Sequence, residues 1–363
     1  MIIDRIEPIA LRVPREQRAI APDNPSDALH MVLCRVTTRS GLIGYGECLC
    51  SRPPMQRGLV ATMRDAVAPF YLGRSVEQRE ELNLAARRHF ASFGRAGAVL
   101  NALGAVDTAL WDIAGKATGQ SLSQMIGGAK RTHVPVMASL DRYNHAGRAR
   151  ARVEQALADG AAAVKVHEFD LAVIEEARRP VGADIPFVAD CNNAHTLADI
   201  TRELARWRAL DLLWLEDPVW PPEILLDMAV LPGIPIGLGA DLGSAEQLAF
   251  YAKAPSIAVA QPDVCMIGGV SESLRALAAL KDLGVSVAPH TPFIGPAALA
   301  SLHLIAAMDE STFFATIEAE GQMDPFAIGL TSCEHAGNRE PSHDPTLRTV
   351  IVADLVPARC EHL

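Results

Sequence analysis

Ile185-Pro-Phe-Val-Ala-Asp190, Leu212-Leu-Trp-Leu-Glu216-Asp217 and Ile234-Pro-Ile-Gly-Leu-Gly-Ala-Asp241 follow one plan: a short apolar run, then an acid. A helical stretch separates each from the next. The same rhythm extends in both directions. Before it lie Val134-Pro-Val-Met-Ala and Ala162-Ala-Val-Lys-Val; after it lie Ile257-Ala-Val-Ala, Val285-Ser-Val-Ala and Thr312-Phe-Phe-Ala-Thr-Ile. That makes eight strand candidates about 20–30 residues apart. Nearly continuous apolar runs suit strands buried on both faces of a parallel sheet. Eight βα units are the count of a closed (β/α)₈ barrel. An open doubly wound sheet is the alternative, but no Gly-rich phosphate fingerprint follows the first run.

Residues 1–128 read differently. Met31-Val-Leu-Cys-Arg-Val-Thr-Thr, the turn Arg39-Ser-Gly41 and Leu42-Ile-Gly-Tyr-Gly-Glu47 form a hairpin pattern. Residues 56–126 turn helical, most clearly from Val99 to Lys116, with a stop near Gly119. Strands followed by helices predict an α+β unit. The expected division is 1–128 for that unit, 129–322 for the barrel and 323–363 for a tail.

Bulk properties exclude some functions. The 363 residues carry a formal net charge of −10, the wrong balance for a nucleic-acid partner. No apolar run approaches the ~20 residues of a membrane span, and the first residues, with Asp4, Arg5 and Glu7, read as a strand rather than a signal peptide. The seven cysteines are scattered, and Cys48-Leu-Cys50 has no second pair at zinc-site spacing. Free thiols and a cytoplasmic protein are expected.

Chemistry in such a barrel sits at the carboxyl ends of the strands. Asp190, Glu216 and Asp241 are 26 and 25 residues apart, one βα unit each. Strands lie about 4.8 Å from their neighbours, so the three carboxylates can converge on one hard cation, with Mg²⁺ favoured by all-oxygen ligation. For any one acid alone, a helix cap or a salt bridge is the plainer reading; the phasing of the set argues otherwise. Lys165 and His167, two apart, share a face of their strand. Asp263 and His290 end consecutive strands, and an Asp beside a His orients the ring and makes a base usable near neutral pH.

These residues resemble the mandelate racemase and muconate lactonizing branch of the enolase superfamily over nearly the whole chain. Gly44-Tyr-Gly-Glu47, Val106-Asp-Thr-Ala-Leu-Trp-Asp-Ile-Ala-Gly-Lys116, Glu216-Asp-Pro218, Gln261-Pro-Asp263 and Gly268-Gly-Val-Ser-Glu272 carry the likeness. It implies a capping domain made of the amino-terminal unit and the returning tail, closing over the barrel. It implies Mg²⁺ on the three strand-end carboxylates, and bases at Lys165/His167 and at the Asp263–His290 pair. It implies that Glu318 helps bind the substrate carboxylate or its enolate oxygen. Loops near residues 20–28 and 48–55 would set specificity, with Arg52 the best cation there; Arg52 and Asn192 are the candidate substrate contacts, and the protein would be a homo-oligomer.

Two departures stand out. Many members have Lys at both ends of the second-strand triplet, where this chain has His167. Asp241 is followed by Leu-Gly-Ser, which fits no familiar form closely; if Asp241 misses the metal, Asn192 or water would fill its place. The expected activity is proton abstraction alpha to a carboxylate, leading to dehydration of a sugar acid to a 2-keto-3-deoxy acid. Racemisation, epimerisation or lactone cycloisomerisation on the same enolate is the alternative. A non-catalytic homologue with a weakened metal site is the third reading.

Overall fold

The computed structural model describes residues 1–14, 28–50, 53–227, 231–292, 294–309, 312–318 and 349–351. The amino-terminal unit begins with an antiparallel sheet of β1 (Ile3–Pro14), β2 (Ala28–Thr38) and β3 (Ile43–Cys48), in that order. The β2–β3 hairpin turns at the predicted Arg39-Ser-Gly41. Helices follow, among them Arg79–His89 and the 21-residue Ala98–Thr118, which stops one residue before Gly119. The long helix is buried along most of its length because β3 lies across it.

Eight parallel strands come next: β4 (His133–Leu140), β5 (Ala163–Val166), β6 (Phe187–Asp190), β7 (Trp214–Glu216), β8 (Ile236–Leu238), β9 (Ile257–Ala260), β10 (Ser286–Val287) and β11 (Phe314–Glu318). They pair in the order β10-β9-β8-β7-β6-β5-β4-β11. The Thr291 hydroxyl donates to the Ala315 carbonyl at 2.8 Å and so ties the end of β10 to β11. The curled sheet is the predicted (β/α)₈ barrel, with the α+β unit as its cap. Its interior is a layer of Met137, Ala163, Val188, Trp214, Val259, Ala288 and Ala315, nearly one side chain per strand. A larger apolar core fills the space between strands and outer helices.

Much of the tail lies outside the described residues. Its described part, β12 (Thr349–Ile351), pairs antiparallel with the first residues of β4.

The cap is fastened to the barrel by buried polar contacts. Asp107 accepts from the Ser271 amide at 2.8 Å and its hydroxyl at 2.7 Å, and the Trp111 indole donates to the same hydroxyl at 2.9 Å. Arg87 donates to the carbonyls of Ile267 and Gly243, at 2.7 and 2.6 Å, and Asn83 donates to that of Gly268 at 2.7 Å. Gly243 belongs to the unfamiliar Leu-Gly-Ser after Asp241. A Cβ there would stand 1.9 Å from the Arg95 carbonyl, so the cap presses on this loop too closely for a side chain.

Candidate active site

Directly above the apolar layer the same strand faces turn polar. Alternation places Lys165 two residues after Ala163, Asp190 after Val188 and Glu216 after Trp214, each on the interior face. Asp190 and Glu216 are register partners on β6 and β7. The Lys165 ammonium bridges them, 3.0 Å from Asp190 Oδ2 and 2.5 Å from Glu216 Oε1. The Trp214 indole donates to Glu216 Oε2 at 3.0 Å. Burial resists the charge on Lys165, but the two carboxylates outweigh it and raise its pKa. Burial likewise opposes the charge on Asp190; Lys165 and His167 overcome it and hold that carboxyl well below its usual range.

A third carboxylate joins them. Asp190, Glu216 and Asp217 offer oxygen atoms within 4.8 Å of one another, all buried. Strict alternation would send Asp217 to the outer face. Its left-handed backbone, φ +39°, breaks the alternation. Burial and then the charges of Asp190 and Glu216 push the Asp217 carboxyl well above its ordinary value. Three crowded, dehydrated oxygen donors fit a hard divalent cation, which would relieve their repulsion. Asp241 falls outside this 4.8 Å group. Burial raises its carboxyl, and the charges of His290, Asp263 and Asp190 also act on it, so it stands at the rim of the same site.

His167 Nδ1 lies 2.5 Å from the Leu140 carbonyl, which can only accept, so Nδ1 carries the hydrogen. Its Nε2 is thereby turned to the cluster, 3.3 Å from Asp190 Oδ2. His290 Nδ1 donates to Asp263 Oδ2 at 2.7 Å, leaving its Nε2 for chemistry. Asp263 is fully buried, and its other oxygen accepts from the amides of Cys265 and Met266 at 2.8 and 2.9 Å. Burial alone would lower the His290 pKa; the Asp263 hydrogen bond and charge reverse this and raise it above 6.5. Lys165 and Glu216 act on the same ring, so the pair faces the carboxylates.

Asn192 donates to Asp190 Oδ1 through its amide nitrogen and its side chain, at 2.9 and 2.7 Å, and thus orients a carboxylate. Glu318 ends β11 beside Leu140, while its side chain and the whole of Arg52 lie outside the described residues. Sequence reasoning missed Arg142, just past β4. It donates to the His167 carbonyl at 3.1 Å, contacts Asn192 Oδ1 at 3.5 Å and stacks on Phe169 at 3.8 Å. It also missed Glu168, whose buried carboxylate accepts from the Tyr143 and Asn144 amides at 2.7 and 3.0 Å and holds the loop after β4. Cys34, Cys48, Cys50, Cys191 and Cys265 are buried free thiols, as expected.

Residues 148–339 match the model of the enolase C-terminal domain-like family, and residues 15–127 match the mandelate racemase / muconate lactonizing enzyme amino-terminal domain. The chain belongs to the enolase superfamily. Among curated members of that superfamily's mandelate racemase/muconate lactonizing branch, it is 29% identical to a D-galactarolactone cycloisomerase of Agrobacterium fabrum, over 76% of this chain and 75% of the relative. It is 29% identical to a D-galactonate dehydratase of Verminephrobacter eiseniae, over 79% and 77% of the two chains. Among solved structures, the 3,6-anhydro-D-galactonate cycloisomerase of Zobellia galactanivorans superposes with a TM-score of 0.75 at 25% identity, covering 88% of each chain. A superfamily member from Polaromonas sp. JS666 superposes with a TM-score of 0.78 at 24% identity, covering 88% and 87%; that likeness speaks to fold alone. Among the described residues, no helix is long and apolar enough to cross a membrane.

Proposed function

We propose that this enolase-superfamily chain is a hydro-lyase that removes the proton alpha to the carboxylate of an acid sugar and expels the beta hydroxyl, yielding a 2-keto-3-deoxy acid. The observation that carries it is the meeting of Asp190 and Glu216 with Lys165 and two oriented imidazoles above one apolar layer. A proton alpha to a carboxylate is very weakly acidic, and its removal puts a second negative charge on the same group. Asp190, Glu216 and Asp217, with Asp241 at the rim, are the residues to hold Mg²⁺. Bound there, Mg²⁺ supplies positive charge to the substrate carboxylate as that second charge develops. Lys165 adds a fixed positive charge between two of the same carboxylates.

His290 takes the alpha proton at Nε2, and Asp263 stabilises the resulting imidazolium. A proton delivered to the beta oxygen makes the leaving group water, and the enol left behind becomes the keto acid. His167, with Nε2 aimed inward, is placed to give that proton. The curated dehydratase relatives support this outcome. Incubation of the protein and Mg²⁺ with a library of sugar acids, assayed for keto acid, tests it. No keto acid from any member would overturn the dehydratase reading.

A second reading, cycloisomerisation or epimerisation of the same enolate, is favoured by the cycloisomerase relatives and by a second ring base in His167. Solvent deuterium entering substrate or product without loss of water would establish it.

A further inference from the structure

A residue of the cap reaches the segments that carry Asp263 and His290. Glu47, near the end of β3 in the cap, is 4% exposed, yet it lies against the segment that follows His290. Its Oε2 accepts from the Ala297 amide at 3.2 Å, in the first turn of the helix Pro296–Ala307. A Cβ on Gly295 would stand 2.6 Å from the same oxygen and 3.0 Å from Met31 Cε. The main chain of Glu47 reaches the other half of the pair: its carbonyl accepts from the Cys265 thiol at 3.0 Å. The Cys265 amide in turn donates to Asp263 Oδ1 at 2.8 Å, and Asp263 Oδ2 accepts from His290 at 2.7 Å. One residue of the cap thus touches both the turn behind Asp263 and the segment behind His290.

We propose that Glu47 is a positioning residue that fixes the Asp263–His290 pair from the capping domain, so that the docked cap sets the geometry of the base. The inference rests on the reading of His290 as that base. Burial pushes the Glu47 carboxyl up to about 8, against the amide hydrogen bonds that lower it. Gln keeps the side-chain length and an oxygen that can accept from the Ala297 amide. Ala keeps neither. Asp190 and Glu216 lie on β6 and β7, away from this contact.

The test compares Glu47→Ala, Glu47→Gln and Gly295→Ala in the full-length protein. Gly295→Ala leaves Glu47 in place and displaces its carboxyl, so it serves if Glu47→Ala folds poorly. With the acid sugar that the library assay identifies, Glu47→Ala and Gly295→Ala should lower kcat about 10–100-fold. KM should stay within about twofold, and Glu47→Gln should return kcat to within about threefold of the parent. Calorimetric Mg²⁺ affinity should be unchanged in all three. The substrate-free readout is the downfield imidazole N–H proton resonance of His290, identified by its loss in His290→Asn. It should weaken or vanish in Glu47→Ala and Gly295→Ala and persist in Glu47→Gln. Retention of both kcat and the resonance in Glu47→Ala or Gly295→Ala would overturn the proposal, as would equal damage by Glu47→Gln. If the parent protein turns over no acid sugar, the functional reading fails separately and the resonance alone decides the positioning role.

Discussion

At the scale of single residues, the site divides into what alternation dictates and what the backbone adds. Lys165, Asp190 and Glu216 were legible because period-2 alternation carries them onto the interior face with Ala163, Val188 and Trp214. Asp217 was not, because its place depends on one left-handed backbone angle that no spacing reveals. Glu47 was visible as part of Gly44-Tyr-Gly-Glu47, but its partner stands 250 residues later. Asp190→Asn or Glu216→Gln should weaken Mg²⁺ binding at least about tenfold by calorimetry, because each leaves fewer anionic oxygens for a hard cation. Asp263→Asn should lower kcat about 10²–10⁴-fold. The loss of its charge should also shift the acid limb of the pH–rate profile downward. The sign follows from the raised His290 pKa: the neutral, base form prevails only above a value higher than 6.5, and removing the anion lets the ring lose its proton sooner. An unmoved limb would mean that another group titrates there.

Among the elements, the strands were the easiest to read and the connections the hardest. Largely apolar runs of four to six residues marked all eight barrel strands, although β10 shrinks to Ser286–Val287. The turn at Arg39-Ser-Gly41 and the stop at Gly119 were also apparent. The seam between cap and barrel was hidden, because Asp107, Trp111 and Ser271 are polar partners far apart in sequence. Asp107→Ala should cost about 1–3 kcal/mol in denaturant unfolding, since the buried Ser271 amide loses its acceptor. Burial also raises the Asp107 carboxyl to about 7 and that of Glu47 to about 8. Carboxyls raised on folding contribute stability that is fully present below their unfolded values, near 4, and lost as pH climbs through the folded ones. Unfolding midpoints should therefore fall between pH 5 and about 8, and Glu47→Gln should flatten that slope.

For the whole molecule, Arg87, Asn83, Asp107 and Glu47 tie the cap to the barrel through buried hydrogen bonds, so the two should unfold as one cooperative body. Far-ultraviolet circular dichroism and tryptophan fluorescence should report coincident unfolding transitions; two separated steps would show that the cap melts alone. The contact between Glu47 and Ala297 has a consequence for biosynthesis. The hairpin leaves the ribosome before the barrel does, yet the amide that its carboxyl meets is made 250 residues later. A nascent chain halted after β8 already owns Lys165, Asp190 and Glu216, but it holds neither His290 nor the helix that anchors it. On the proposed reading of His290 as the base, such an unfinished chain can collect carboxylates without turning over substrate.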